Sequence, residues 1–264
     1  MTPALRSLAM VLVTLVAGCA VLSAPLWLGP RGLTPDLGAI GLSPDWAHPF
    51  GTDGLGRDMF ARALHGLSLS LRVAGIATGL ATMIAVIVAV ASLSNRWADR
   101  ILAFLTDVAL SLPHLLLLIL LAFATGGGAR GVTIALALSH WPRLARILRA
   151  EAMALRNRPY IEAARAFGHR KTHILCRHIL PHLGPQIAVG ATLMAPHAVL
   201  HEAALTFAGF GLPSGAPALG VMLSEGLRHI AAGQYWLTLG PGLLLLGTAL
   251  LIECCARSLQ RGGA

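Results

Sequence analysis

Arg156-Asn157-Arg158-Pro159-Tyr160-Ile161-Glu162-Ala163-Ala164-Arg165-Ala166-Phe167-Gly168, followed nine residues later by His178-Ile179-Leu180-Pro181, is the stretch around which the rest of the chain organises. Pro159 suits the first turn of a helix, where its missing N–H is not needed. Glu162 sets a carboxylate against the positive end of that helix's dipole. Ala163 and Ala164 combine high helix propensity with a low-profile face that a second protein can approach closely. Gly168 fits a C-cap with positive φ, and a second helix is expected from about Arg170 to Ile179 before Pro181 stops it. The predicted product, over 156–181, is a short basic helix-turn-helix with a shallow, Ala-lined surface.

Outward from this segment the chain is apolar. A helix needs about 20 predominantly apolar residues to cross a bilayer core, and six candidates fall near 7–28, 71–94, 104–125, 131–150, 183–204 and 233–254. The fourth is the least apolar: Arg143, Arg146 and Arg149 recur every third residue on one face, positioned to snorkel to headgroups. Pro142 is expected to kink it. The whole chain, 1–264, reads as one membrane domain, with no internal repeat.

Composition agrees. The 264 residues are 56% hydrophobic and 12% charged, against about 25% charged in soluble domains. A water-soluble enzyme, a disordered tail and a free nucleic-acid-binding domain are thereby excluded. The net charge of +9 is distributed rather than clustered on a nucleic-acid face. With the N-terminus inside, fourteen of the twenty basic residues fall on cytoplasmic segments: Arg6, Arg96, Arg100, nine from Arg143 to Arg177, Arg257 and Arg261. Positive-inside bias therefore predicts both termini in the cytoplasm. Arg6, an apolar run and Val16-Ala17-Gly18-Cys19 resemble a lipoprotein signal, but five further apolar spans favour a first transmembrane helix. The four cysteines form no spaced framework, so neither disulfides nor a Cys-based metal site is expected.

The inner segment resembles the EAA loop of ABC importer permeases: Glu162, Ala163, Ala164, Gly168, Leu180 and Pro181 match that pattern in register. His178 stands where the general pattern has Ile, and His-Ile-Leu-Pro is similar to the dipeptide/oligopeptide/nickel branch. The resemblance implies an all-α membrane protein of six transmembrane helices, the type I ABC importer permease fold, in the bacterial inner membrane. It also implies that 156–181 is the coupling loop, with Tyr160, Glu162, Ala163, Ala164, Gly168, His178, Leu180 and Pro181 facing a partner ATPase.

A second motif lies in the 29–70 outer loop: His48-Pro49-Phe50-Gly51-Thr52-Asp53-Gly54-Leu55-Gly56-Arg57-Asp58. Read physically, its glycines make tight turns while Asp53, Arg57 and Asp58 pair locally or cap the next helix. The string resembles the outer signature of the same branch at His48, Gly51, Thr52, Asp53, Gly56, Arg57 and Asp58, with Phe50 replacing Leu. Residues 202–212, after the fifth span, are also similar to the family. The branch implies a second homologous permease subunit in a heterodimer, two ABC ATPase subunits and an extracytoplasmic solute-binding protein. The chain lacks a Gly-x4-Gly-Lys-Ser/Thr phosphate loop, so no cofactor is expected on it. ATP and Mg²⁺ are expected on the partner ATPases, and no nucleic acid is expected.

Cargo is the open question. His197 and His201 are four apart and share a helical face, imidazole suits nickel and zinc, and Glu202 adjoins them. An ionisable residue at membrane depth is a pathway candidate by default. Ala-Leu-Ser-His-Trp at 137–141 and the His197/His201 pair look like nickel-import permeases, so nickel or a metal–chelator complex is the expected cargo, with short peptides as the alternative. Packing histidines are the competing explanation. His169/His173 and His178/His182 repeat the spacing in the basic loop, where docking explains them better than a regulatory metal. His201-Glu202 opens a zincin pattern, but Leu205 occupies the second ligand's place, so a metalloprotease is not supported. An autonomous secondary transporter or channel would leave the large basic loop without a purpose.

Overall fold

Helices account for all the regular structure among the described residues of the computed structural model, which covers the backbone of residues 3–262 and the side chains of 8–260; the side chains of Arg6 and Arg261 lie outside them. Among the described residues the only strand-like pairing is an isolated bridge between Thr52 and Asp58. The helices are α1 (Pro3–Leu22), α2 (Ala24–Leu28), α3 (Met59–Ala91), α4 (Arg96–Ser111), α5 (His114–Ala124), α6 (Gly128–Arg156), α7 (Pro159–Ala166), α8 (Lys171–Ile174), α9 (Leu180–Phe207), α10 (Leu219–Leu227) and α11 (Trp236–Gly262). Single 3₁₀ turns occupy Leu37–Ala39 and Ile230–Ala232.

Among the described residues three stretches are long and apolar enough to cross a membrane: Met59–Ala91, Lys171–Phe207 and Trp236–Gln260. The α4–α5 pair passes the same test only together, and it is bent by 101°. Leu8–Leu22 is a shorter apolar helix.

Several boundaries depart from the sequence expectation, each for a local reason. The first helix does not run to 28: it ends at Leu22, and α2 restarts after Ser23 with proline in its first turn. The second starts at Met59 rather than 71, because the Asp58 carboxylate accepts the Ala61 N–H and caps it. The stretch expected as one helix over 104–125 is broken between α4 and α5. Leu112, forced out of the helical region ahead of Pro113, has φ −79° and ψ 140°. Pro142, by contrast, sits buried inside α6, which continues through it as one helix although the proline removes one backbone donor. Nor does Pro181 end the second helix of the elbow. A π turn over Leu175–Ile179 precedes it, with the Leu180 N–H bonded to the Leu175 carbonyl, and the helix continues through α9. The π turn shifts the hydrogen-bond register just ahead of a residue that cannot donate.

α3 is the axis of the bundle and packs most extensively on α6. Ala77, Ala81, Ala85 and Ala89, spaced by four, are all buried, whereas Ile76, Met83 and Ile87 face outward. Small residues let two backbones approach, which matters where lipid removes the hydrophobic drive between helices. One end of α3 (Met59, Ala63, Leu67) packs in a core with α10 and α11. Its other end (Ala85, Ala89) packs with Leu148, Leu155, Ile161 and Ile179 around the elbow.

This seam yields a test. Ala81→Leu, at a fully buried position, is expected to cost about 1–3 kcal/mol through overpacking. Ile76→Leu on the outward face is expected to leave thermal unfolding in detergent unchanged.

Candidate functional site

Three groups of residues carry the site. The first is the elbow. Arg158 has extended backbone and Pro159 opens α7. Spacing of three turns Ile161 and Ala164 inward, onto Leu155, Ile174, Ile179 and Leu183. The expected two-alanine surface is thus corrected: Ala163 faces out, Ala164 faces the core. The outward face instead carries Tyr160, Glu162, Ala163 and Phe167, the last 83% exposed. Phe167 was not foreseen; an aromatic just before the capping glycine was its only signal.

The turn after α7 is a Schellman cap. The His169 N–H reaches the Ala164 carbonyl at 3.2 Å and the Gly168 N–H reaches Arg165 at 2.9 Å. Gly168 sits at φ +80°, a conformation that favours glycine. Arg165 donates to the Arg156 carbonyl at 3.2 Å, tying α7 back to the end of α6. His178 lies partly buried, 6.3 Å from the Tyr160 ring, while Leu180 is half-buried and Pro181 exposed. Behind the elbow, Arg149 grips Asp99 of α4 with two bonds at 2.6 and 2.8 Å, and Arg146 pairs with Asp107. These arginines hold α4 on α6 rather than extending singly.

The second group is the outer signature. Asp58 caps α3 and also accepts from Arg31 at 2.9 Å, with His48 Nδ1 at 3.1 Å. Asp53 pairs with Arg57 at 2.7 Å and Arg62 at 3.3 Å. Arg62, only 2% exposed, also reaches Glu225 of α10 at 2.7 Å. A buried guanidinium between two carboxylates thereby pins the loop to a helix far along the chain. Thr52 closes the loop, its hydroxyl donating to the Ala39 carbonyl and accepting the Leu42 N–H. A Cβ on Gly56 would lie 1.7 Å from the Asp36 carbonyl oxygen, and one on Gly51 2.6 Å from that of Leu42. The signature is therefore a folded cap on α3. Glu225 and Arg31 escaped the sequence reading because their partners are distant or unremarkable in pattern.

The third group lies in a cavity of about 520 Å³ at the α4–α5 bend, lined by residues of α4, α5, α6 and α9. His201 meets His140 of α6, Nδ1 to Nε2, at 3.1 Å. The ring of His114, first residue of α5, lies 4.6 Å from that of His201 and 4.9 Å from that of His140. One nitrogen from each of the three falls within 4.8 Å of the others. The expected pairing with His197 is corrected. Its ring is 6.4 Å from His201, and its Nδ1 faces its own Leu193 carbonyl at 3.1 Å. Glu202 does not line the cavity; it is fully buried and accepts from Thr206 at 2.9 Å, and Thr206 in turn accepts the Leu212 N–H. That carboxylate organises the turn after α9. His114 was missed, although a histidine after proline inside an apolar run was a visible signal.

Residues 58–262 match the family model described as the binding-protein-dependent transport system inner membrane component. A Brucella suis biovar 1 (strain 1330) chain named as a peptide permease is 40% identical over 236 residues, covering 89% of this chain and 78% of that protein. The dipeptide transport system permease protein of Bacillus subtilis (strain 168) is 33% identical over 220 residues, covering 83% and 69%. Among solved structures, a chain of the MetNI methionine ABC transporter in an inward-facing conformation superposes with a TM-score of 0.64 at 20% identity, covering 77% of this chain and 97% of that one. The last comparison speaks for the fold.

Asp58 gives the signature a pH dependence. Burial raises its pKa, but the Ala61 N–H, Arg31 and His48 outweigh burial and hold it below the ordinary 3.8. A carboxyl depressed by folding contributes fully above its unfolded value, and the contribution drains as pH falls through the folded value. Asp58→Asn keeps a capping oxygen but removes the charge. Unfolding of the wild type is expected to become easier below about pH 4 with a component that the variant lacks, measured by thermal melts across pH.

Proposed function

Because the chain belongs to the family of binding-protein-dependent transport system inner membrane components, we propose that it serves as one of two homologous membrane subunits in an ATP-driven importer of short peptides. It is an ABC importer permease subunit of the inner membrane, a transport component rather than a catalytic enzyme. Family membership implies ATPase and solute-binding partners. In our reading the membrane partner is a related second permease chain, and ATP and Mg²⁺ are held and turned over by the ATPases.

One observation carries this reading: α3, 33 residues long and so roughly 50 Å from end to end, has the signature at one end and the elbow at the other. A helix that crosses the bilayer separates its ends, which supports placing the two motifs on opposite faces. The six crossings we propose are α1, α3, the bent α4–α5 pair, α6, α9 and α11. The positive-inside distribution then puts the elbow and both termini in the cytoplasm. There the exposed face of Tyr160, Glu162, Ala163 and Phe167 is the docking surface for an ATPase. The inward anchors Ile161 and Ala164, the Schellman cap and the unbroken path from α8 into α9 make the elbow stiff. Closure of the ATPases is thereby passed to the bundle as a rigid-body displacement.

The names of the relatives favour peptides as cargo over the nickel suggested by the histidines at 197 and 201. A nickel or metal–chelator cargo is the second reading, and it is favoured by the histidine cluster of the α4–α5 bend.

Gly168→Asp puts a side chain on a residue at φ +80°, and Glu162→Lys reverses the charge at the start of α7. Each is expected to reduce ATPase co-purification and peptide uptake by about tenfold or more, equivalent to roughly 1.4 kcal/mol of docking energy. Unchanged values for both variants would remove the coupling assignment. Mass spectrometry and metal analysis of the cognate binding protein are expected to find short peptides; a nickel complex would replace the peptide reading with the second one.

A further inference from the structure

We propose that His114, His140 and His201 form a binding site for one borderline divalent transition-metal ion, such as Ni²⁺ or Zn²⁺, with a fourth position open to an exchangeable anionic donor. This inference goes beyond the transport reading and does not depend on which cargo is imported.

The argument begins with the donors. Each imidazole comes from a different helix, α5, α6 and α9, so chain locality does not explain their meeting. A tetrahedral ion with metal–nitrogen distances of about 2.0–2.1 Å holds its ligand nitrogens roughly 3.3 Å apart. The His140–His201 separation is 3.1 Å, and all three nitrogens lie within 4.8 Å of one another. Closing the set requires the His114 nitrogen to move inward by up to roughly 1.5 Å.

The hydrogen bonding points the same way. His140 Nδ1 lies 2.9 Å from both the Leu136 carbonyl and the Ser139 hydroxyl. Donation to the carbonyl leaves a lone pair on Nε2, the usual outer-shell arrangement of a metal-binding histidine. His114 Nε2 is buried and has no hydrogen-bond partner among the described residues, which is costly for a polar atom unless something else occupies its lone pair or proton. Packing alone does not account for an unsatisfied nitrogen beside two imidazoles in a roomy cavity.

The fourth position follows from charge. Among the described residues no carboxylate lines the cavity, while Arg143 does. A bare dication there would be balanced by none of the described lining residues and repelled by the guanidinium. Three protein donors with one vacant position is also the pattern of sites that exchange a ligand. An anionic donor on the ion, such as the carboxylate of an amino acid, supplies the missing charge and pairs with Arg143.

Occupancy has a mechanical consequence, because one ion would tie α5, α6 and α9 together across the α4–α5 bend. The bound chain is thus expected to unfold at a higher temperature than the metal-free chain.

The test uses the full-length chain in lipid nanodiscs, loaded with Ni²⁺ or Zn²⁺, desalted and assayed by elemental analysis and chelator competition. One ion per chain is expected. His114→Ala, His140→Ala and His201→Ala should each weaken retention by about tenfold or more, and His197→Ala should behave as wild type. Helical circular dichroism identifies any variant that fails to fold, and the Gln variants at the same positions then replace it. Arg143→Gln should strengthen retention of Ni²⁺ added alone and weaken that of Ni²⁺ added with excess glycine. A folded wild-type chain that holds no ion, or one whose binding survives all three histidine variants, overturns the site. Equal loss in His197→Ala overturns the three-residue assignment, and an identical Arg143→Gln effect in both metal solutions overturns the anionic donor. The readout is binding to this chain itself, so its failure leaves the peptide-transport reading standing, and the reverse also holds.

Discussion

Where α3 meets α6, the side chains between the two backbones are largely methyl groups. Ala77, Ala81, Ala85 and Ala89 form one buried row, and the α6 positions opposite include Ala145, Leu148 and Ala152 in the same core as Ala85 and Ala89. In a bilayer, lipid tails are as apolar as leucine, so helices associate through close packing and polar contacts. A row of alanines maximises that contact and leaves few rotamers to shift. Because α3 carries the signature at one end and touches the elbow at the other, this seam sets both in a common frame.

Polar residues then divide the labour at each end. At the signature end, Arg62 between Asp53 and Glu225 locks the loop to α10. Arg62 and Asp53 are buried while the Glu225 side chain is 40% exposed, and Arg62 keeps one carboxylate partner when the other is lost. At the elbow end the ion pairs of Arg146 and Arg149 with α4 are more exposed, where such pairs contribute little. Stiffness of the elbow therefore comes from Ile161, Ala164 and the glycine cap rather than from its abundant charge. The basic residues left on the surface remain free to meet headgroups or a partner.

The elbow was legible in the sequence because its determinants are local: Pro159, the spacing from Glu162 to Gly168, and a capping glycine. The folded nature of the signature was partly legible, since Asp58 followed by a long apolar run marks an N-cap. What the sequence hid was long-range. Nothing near Arg62 announces Glu225, and apolar length over 104–125 gave one span where Pro113 divides two helices by 101°. Proline's effect depends on its surroundings: the helix runs on through Pro181, where a stop was expected, and breaks at Pro113, where none was. Pro142 is buried within α6, Pro181 follows a π turn that has already shifted register, and Pro113 follows a Leu112 in extended backbone.

The Pro113 break also explains why the histidines gather as they do. A straight helix through this region would continue α4's direction at Leu112. The break instead starts a new helix at His114, beside His140 and His201, and leaves a cavity where the two segments diverge. The i, i+4 rule placed His197 with His201 correctly on one helix, but a shared face does not make rings converge; His197 bonds its own backbone instead. Convergence needed a third element bent across the pair. The same bend that interrupts the backbone ladder, an expensive feature in a membrane unless it is buried in protein or lines a cavity, is thus what turns three separated histidines into one chemical group.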